Sequence, residues 1–313
     1  MFNGFSICGY NLMNKFSVIV FVLCLSLVFS LGVNLYMSGQ NGVLLGEKSD
    51  LSSQVADLAA VNQLQVAELQ MVDVLSQVQV QVSLQLRQIG ESLVYACEQL
   101  SNVGLAGEQA RQILTELAEN NSVIIDVCTF DLNSTFVTMV PSQYSYLEGT
   151  SSRIAYSVFS RSQNPIQPIL FDMMLMTEGF NASSLMAPVF DSAGEMIGSV
   201  SVIFDPNELI GSVVSGLVEG TSFTMWAIQL DSMEIYDADA SQVGLKLLEH
   251  PAYEPFADFL AFTQQIISEE SGHGTYRLFR TIDSGEIVDK NCFWATVSEY
   301  GNQWRLVIID IIS

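Results

Sequence analysis

Between residues 53 and 88 the chain contains neither glycine nor proline. Leu75, Val78, Val82, Leu86, Ile89, Leu93, Ala96, Leu100 and Val103 step by three and four, which draws one apolar stripe along a helix. A rival period runs through Val78, Val80, Val82, Leu84 and Leu86, which alternate as a strand would. The three–four stepping outlasts the alternation at both ends, and the glutamines favour helix, so a long helix is predicted over 40–118. Gly90 and Gly104 are its weak points. The stripe suits a second copy of the chain or the helix's own domain equally well.

Two similar successions of strands and helices follow. Residues 122–130 read as a buried strand and 136–140 as its hairpin partner, with Asp131, Asn133 and Ser134 in the turn. A polar stretch covers 141–181. Strands are then predicted at 188–190 and 196–204 around the turn Asp191-Ser-Ala-Gly194. Asp205 as N-cap, Pro206 at the first helical position and Glu208 two residues on open a helix that Gly216 or Gly220 can end. The plan then repeats: strands at 224–230 and 234–236, a helix after Pro255 that Gly272 stops, and three closing strands at 275–281, 286–297 and 303–311. The expected fold is α+β, a long helix followed by two PAS-like antiparallel units at 119–208 and 209–313.

Residues 16–33 carry no charge, and at ~1.5 Å per residue they span roughly 27 Å, a bilayer core. Lys15 before the run and acids after it put 1–14 in the cytoplasm, 15–37 across the membrane and the rest outside. Ser30 and Gly32 also offer a signal-peptidase site, in which case the chain is secreted. Both readings export the remainder.

Eleven basic residues against 34 acidic ones give a net charge of −23, which removes the basic footprint that nucleic-acid binding needs. The two histidines, His250 and His273, lie without cysteine or glutamate at ligand spacing, so no metal site is expected. Asp237-Ala-Asp239 fails as a calcium loop because Gln242 and Leu248 stand where glycine and glutamate are required. Residues 271–274, Ser-Gly-His-Gly, read as a helix-ending turn without a matched nucleophile. Cys97, Cys128 and Cys292 are expected as buried thiols, with a Cys97–Cys128 bridge the alternative.

Several segments together resemble the double Cache family of extracellular sensor domains. They are Glu148-Gly149, Glu178-Gly179-Phe180, 187–206 (APVFDSAGEMIGSVSVIFDP), 234–247 (EIYDADASQVGLKL), 271–279 (SGHGTYRLF), 293–297 (FWATV) and 301–306 (GNQWRL). The flavour is closest to Cache-type exported proteins of methanogenic archaea. The resemblance implies two stacked PAS-like units on the long helix, with the first unit membrane-distal and holding a small-molecule pocket. It also implies a signalling output, expected here to leave through the N-terminal helix or a separate partner protein.

In the amino-acid-binding subset of that family an Arg-x-Trp-Tyr motif clamps the ligand. Here Arg153 and Tyr156 match it, Ala155 replaces the Trp, and the downstream acid falls near Ile203 or Phe204, where it is missing. A guanidinium fork suits a ligand carboxylate, and Tyr144, Tyr146 and Tyr156 offer an aromatic wall with hydroxyls. The competing reading pairs Arg153 with Glu148. Arg153, Tyr156, Tyr144, Tyr146 and Glu178 are thus the candidate ligand-binding residues. Phe171, Met173, Met174 and Met176 make an apolar cluster that reads as core or as an adaptable pocket. Tyr236, Tyr276, Trp294 and Trp304 read as core aromatics, with Asp237 and Asp239 in a turn. The expected function is small-molecule sensing without enzymatic activity or cofactor. A surface module with no working pocket is the alternative, and an enzyme ranks last because no nucleophile, base and orienter come together.

Overall fold

The computed structural model describes residues 43–152, 167–281 and 284–312. The apolar run at 16–33, Arg153 and Tyr156 therefore lie outside the described residues. No helix among the described residues is long and apolar enough to cross a membrane.

The first element is the helix α1, Val43–Val103. Its residues up to Val66 belong to one compact unit, in which Val55, Leu58 and Val61 are exposed. Everything described from Ala67 on belongs to a separate compact body that contains both PAS-like units. Within it Leu75, Val78, Val82, Leu86, Ile89, Leu93, Ala96 and Leu100 are all buried in one core with side chains from both sheets, including Val202 and Leu306. The stripe is thus covered by its own domain. Gly90 does not break the helix; a methyl there would overlap the Tyr300 ring, so the glycine admits a close crossing of helix and turn. Gly104 does end it, at positive φ, and α2, Glu108–Glu119, begins four residues later. The single helix expected over 40–118 is therefore two, because a left-handed residue cannot continue a right-handed helix.

Each sheet has five antiparallel strands. The first comprises β1 (Ile124–Phe130), β2 (Phe136–Val140), β3 (Ile169–Leu175), β4 (Asn181–Phe190) and β5 (Met196–Phe204), in the order β2-β1-β5-β4-β3. The second comprises β6 (Thr224–Gln229), β7 (Glu234–Asp237), β8 (Ser271–Phe279), β9 (Ile287–Glu299) and β10 (Asn302–Ile312), in the order β7-β6-β10-β9-β8. The two orders are the same plan repeated. The strands at 196–204 and 303–311 sit at the centre of separate sheets, as expected.

Turn chemistry fixes the hairpins. Asp131 Oδ1 accepts from the backbone N–H of Asn133 and Thr135, both at 2.8 Å, and Asp191 Oδ1 accepts from Ala193 and Glu195, both at 2.9 Å. Asp205 caps α3 (Pro206–Val218), accepting from Asn207 N–H at 2.8 Å. The helix α4, Ala257–Ser268, ends before Gly272. Residues 271–274 are not a turn but the start of β8, where Gly272 leaves room for the Trp294 indole and Gly274 for the Phe262 ring. The polar stretch 141–181 contains a 3-10 turn at Ser142–Leu147 and the edge strand β3.

Candidate functional site

Each sheet turns one face to the long helix and the other to its own cup. In the second unit the cup face carries Trp226 and Ile228 from β6, Cys292 and Trp294 from β9, and Val307 and Ile309 from β10, packed on Phe259, Phe262 and Ile266 of α4. Strand β7 adds two acids to this face. Glu234 stands opposite Ile228 and Asp237 opposite Trp226, although they are three positions apart and strict alternation would put them on opposite faces. A bulge between Ala227 and Ile228 absorbs the odd residue and aims both carboxyls into the cup. Asp237, read from sequence as a turn residue, is thus the last residue of a strand and faces a cavity.

That cavity has a volume of about 200 Å³. Trp226, Tyr253, Phe259 and Tyr276 form its aromatic wall. Glu234, Asp237, Asp239, Arg280 and Lys290 supply charge. Glu234 is 4% exposed; burial, then the charge and hydrogen bond of Asp237, push its carboxyl well above the ordinary range. Burial also raises Asp237, opposed by the Asp239 N–H that donates to its Oδ1 at 2.7 Å and by a hydrogen bond with Glu234. Lys290 comes from β9 on the far side of the sheet and is 7% exposed. Burial lowers its pKa, and the Asp237 and Glu234 charges partly restore it. Tyr253 donates its hydroxyl to Gln242 Oε1 at the cavity edge.

The first unit differs at the same sheet positions. Phe136 and Met139 stand where β7 has Glu234 and Asp237, and Ala182 stands where β9 has Lys290. Its acid lies instead on the central side, where Asp126 of β1 faces Ile203 of β5. Asp126 is fully buried, and neither oxygen has a hydrogen-bond partner among the described residues. Burial, helped by the nearby charge of Glu178, pushes its carboxyl up to about 8. Glu178 lines a pocket of about 10 Å³, room for one water, beside Ser184, Ser201 and Met176. Burial raises its pKa too.

The other sequence candidates fall as follows. Tyr144 is half-buried and its ring lies 6.2 Å from that of Phe180. Tyr146 is 65% exposed and lines neither cavity. Glu148 is held by Arg111, whose Nη2 donates to Oε1 at 2.8 Å while Nη1 donates to the Met139 carbonyl at 2.7 Å. Met173 is core, and Met176 packs with Ala182 and Ile203. Cys97, Cys128 and Cys292 are free and buried, so the Cys97–Cys128 bridge does not form. No cluster of three metal-ligating side chains exists among the described residues. Sequence reasoning missed Lys290 and Glu234; a lysine within the apolar alternation of β9 was the signal available.

Residues 84–206 match the HK/GC/chemotaxis protein-like sensor domain. The sensor-domain likeness extends to solved structures over both units. An extracellular ligand binding receptor from Desulfohalobium retbaense matches with a TM-score of 0.63 and 27% identity, over 77% of this chain. This chain spans only 40% of that receptor's length. The periplasmic sensory domain of the Campylobacter jejuni chemoreceptor Tlp1 matches at a TM-score of 0.55 and 12% identity, over 77% of this chain and 92% of that one. The ligand-binding domain of Pseudomonas fluorescens chemoreceptor CtaA in complex with L-alanine matches at 0.52 and 12%, over 76% and 94%. No curated protein sequence matches the chain. These matches are sensory or ligand-binding domains of receptors.

Proposed function

We propose that the chain is an extracellular sensor module that binds a small molecule in the cavity of its second unit. The observation that carries this reading is the cavity itself: a partly open, aromatic-walled space on which buried polar side chains from β7 and β9 converge. The match to a sensor-domain family and the fold shared with receptor ectodomains support it. Arg153 and Tyr156, the carboxylate clamp expected from the sequence, lie outside the described residues, so the second-unit cavity is the site this reading rests on.

The export reading of residues 15–37 sets this module outside the cell, anchored or released. The first unit is membrane-distal on this reading. Helix residues Glu68, Gln79 and Arg87 bond to β9 of the second unit, whereas Cys97, further along, meets Ala187 of the first. Along α1 from Ala67 on, the chain thus meets the second unit before the first. Pairing with a second copy falls to the exposed apolar residues before Ala67, since the 75–100 stripe is already covered.

The test is a thermal-shift screen of the full chain against extracellular metabolites, followed by a crystal structure with the best hit. A binder at 100-fold its Kd stabilises the fold by about 2.7 kcal/mol. Density in the second-unit cavity is expected. Density confined to the first unit would overturn the placement, and a library without any hit would favour a module with no working pocket.

A further inference from the structure

The cationic side chains differ in what already holds them. Arg87, Arg111, Arg277 and Arg280 each pair with a carboxylate, as does Lys246, and Arg305 donates to carbonyls at the end of α4. Lys290 makes neither an ion pair nor a side-chain hydrogen bond with any described residue, in a chain with 34 acids for 11 bases. It lines the second-unit cavity while only 7% exposed, so a molecule that reaches its amine does so through the cavity. Lys246 is the contrast: its amine lies at the surface, 3.0 Å from Asp231.

A lysine amine that is buried and not held in an ion pair is a nucleophile in waiting, because burial favours its neutral form. The lowered pKa of Lys290 agrees, although Asp237 and Glu234 pull the other way. The charges around the cavity then select what it meets. A simple anion drawn to Lys290 would face Glu234 and Asp237, and a simple cation drawn to those acids would face Lys290. An uncharged electrophile meets neither repulsion. The rings of Trp226, Tyr253 and Tyr276 suit its apolar part. The cavity, at about 200 Å³, is smaller than the roughly 300–1,000 Å³ of pockets for drug-sized ligands, which limits it to a few carbons.

We infer that Lys290 captures a small uncharged aldehyde in this cavity as a reversible imine. The Lys290 ammonium gives a proton to the carboxylate of Asp237 or Glu234, and the freed lone pair on Nζ bonds to the carbonyl carbon as the C=O π pair moves to oxygen. That oxygen takes a proton from the nitrogen and becomes a hydroxyl. The carboxyl returns its proton to the hydroxyl, which leaves as water while the nitrogen lone pair closes the C=N bond. In sum, one aldehyde and one lysine ammonium give one iminium and one water, and no outside acid, oxidant or reductant is consumed. The iminium keeps the positive charge of Lys290 beside the two acids, so capture leaves the charge of the site unchanged. This inference rests on the sensor reading above and names the ligand class of the same site.

The test is reductive trapping of the full chain at neutral pH with propionaldehyde and cyanoborohydride, followed by mass-spectrometric peptide mapping. Lys290 should be labelled at least tenfold faster than Lys246, whose surface amine reports unselective chemistry. Glyoxylate, an aldehyde that carries a carboxylate, should lose that preference for Lys290. Without reductant, propionaldehyde should raise the melting temperature of the parent but not of Lys290→Arg, which keeps the charge and cannot form the imine. The trapping result is read on the parent chain and does not depend on how the variant folds. Labelling of Lys290 no faster than Lys246 would overturn the inference, as would a melting shift that survives Lys290→Arg. In either event, another metabolite found in the cavity with no bond to Lys290 would leave the sensor reading standing. A cavity that takes neither an aldehyde nor any compound of the metabolite screen would overturn both.

Discussion

The carboxamide of Gln229 closes on both backbone groups of Met173: its Oε1 accepts from the Met173 N–H at 2.8 Å and its Nε2 donates to the Met173 carbonyl at 3.1 Å. Met173 lies in the bulge between Phe171 and Met174, where β3 skips its ladder with β4. One side chain of the second sheet thus replaces the missing strand partner in the first. Gln229→Ala would leave two buried backbone groups unsatisfied, and a destabilisation of about 2–4 kcal/mol is expected by urea unfolding. Gln229→Glu should be intermediate at acid pH, where its protonated form can still donate.

Asp126 sets a pH dependence of stability. In the unfolded chain its carboxyl titrates near 3.8, and in the fold burial raises it to about 8. Below pH 3.8 it is protonated in both states and has no effect. Between these values the unfolded chain has released a proton that the fold retains, so stability falls as pH rises, and the loss is complete near pH 8. Asp126→Asn should therefore match the parent near pH 4 and exceed it at pH 8 by a few kcal/mol. Melting curves at both pH values check this; equal gains at both would refute the assignment.

The buried stripe of α1 predicts a contrast along one helix. Leu86→Ala or Leu93→Ala removes a fully buried side chain and should cost about 2–5 kcal/mol. Leu58→Ala alters a side chain that is 56% exposed and should stay within ~0.5 kcal/mol at concentrations where the chain is a monomer. Gly90→Ala should destabilise by about 1–3 kcal/mol although alanine is the better helix former, because the added methyl meets Tyr300.

Burial pushes the thiols of Cys97 and Cys292 up to about 12 and raises Cys128 as well. All three should resist iodoacetamide in the native protein at pH 8 and react fully in guanidinium, as mass-spectrometric mapping would show.

The helix stripe, the hairpin turns and the capped α3 were legible because each rests on local chemistry: spacing, an Asp at a turn, an Asp-Pro pair at a helix start. The edge strand β3 was not, since its bulge breaks the alternation and its backbone partners come partly from Gln229, 56 residues away. The second-unit site was hidden for a related reason. Glu234 and Asp237 share a face only through the bulge opposite them, and Lys290 joins them only once β7 and β9 flank the same sheet. Glycines 272 and 274 looked like helix terminators because nothing local distinguishes that role from making room for a ring.

Strand β10 runs between β6 and β9 along most of its length. A pull along its axis would be resisted by two ladders in shear, which must slip together before either yields. An edge strand such as β8 can be peeled one rung at a time. The second sheet is therefore stiffest along the line of β10, and a displacement applied there travels through the sheet as a whole.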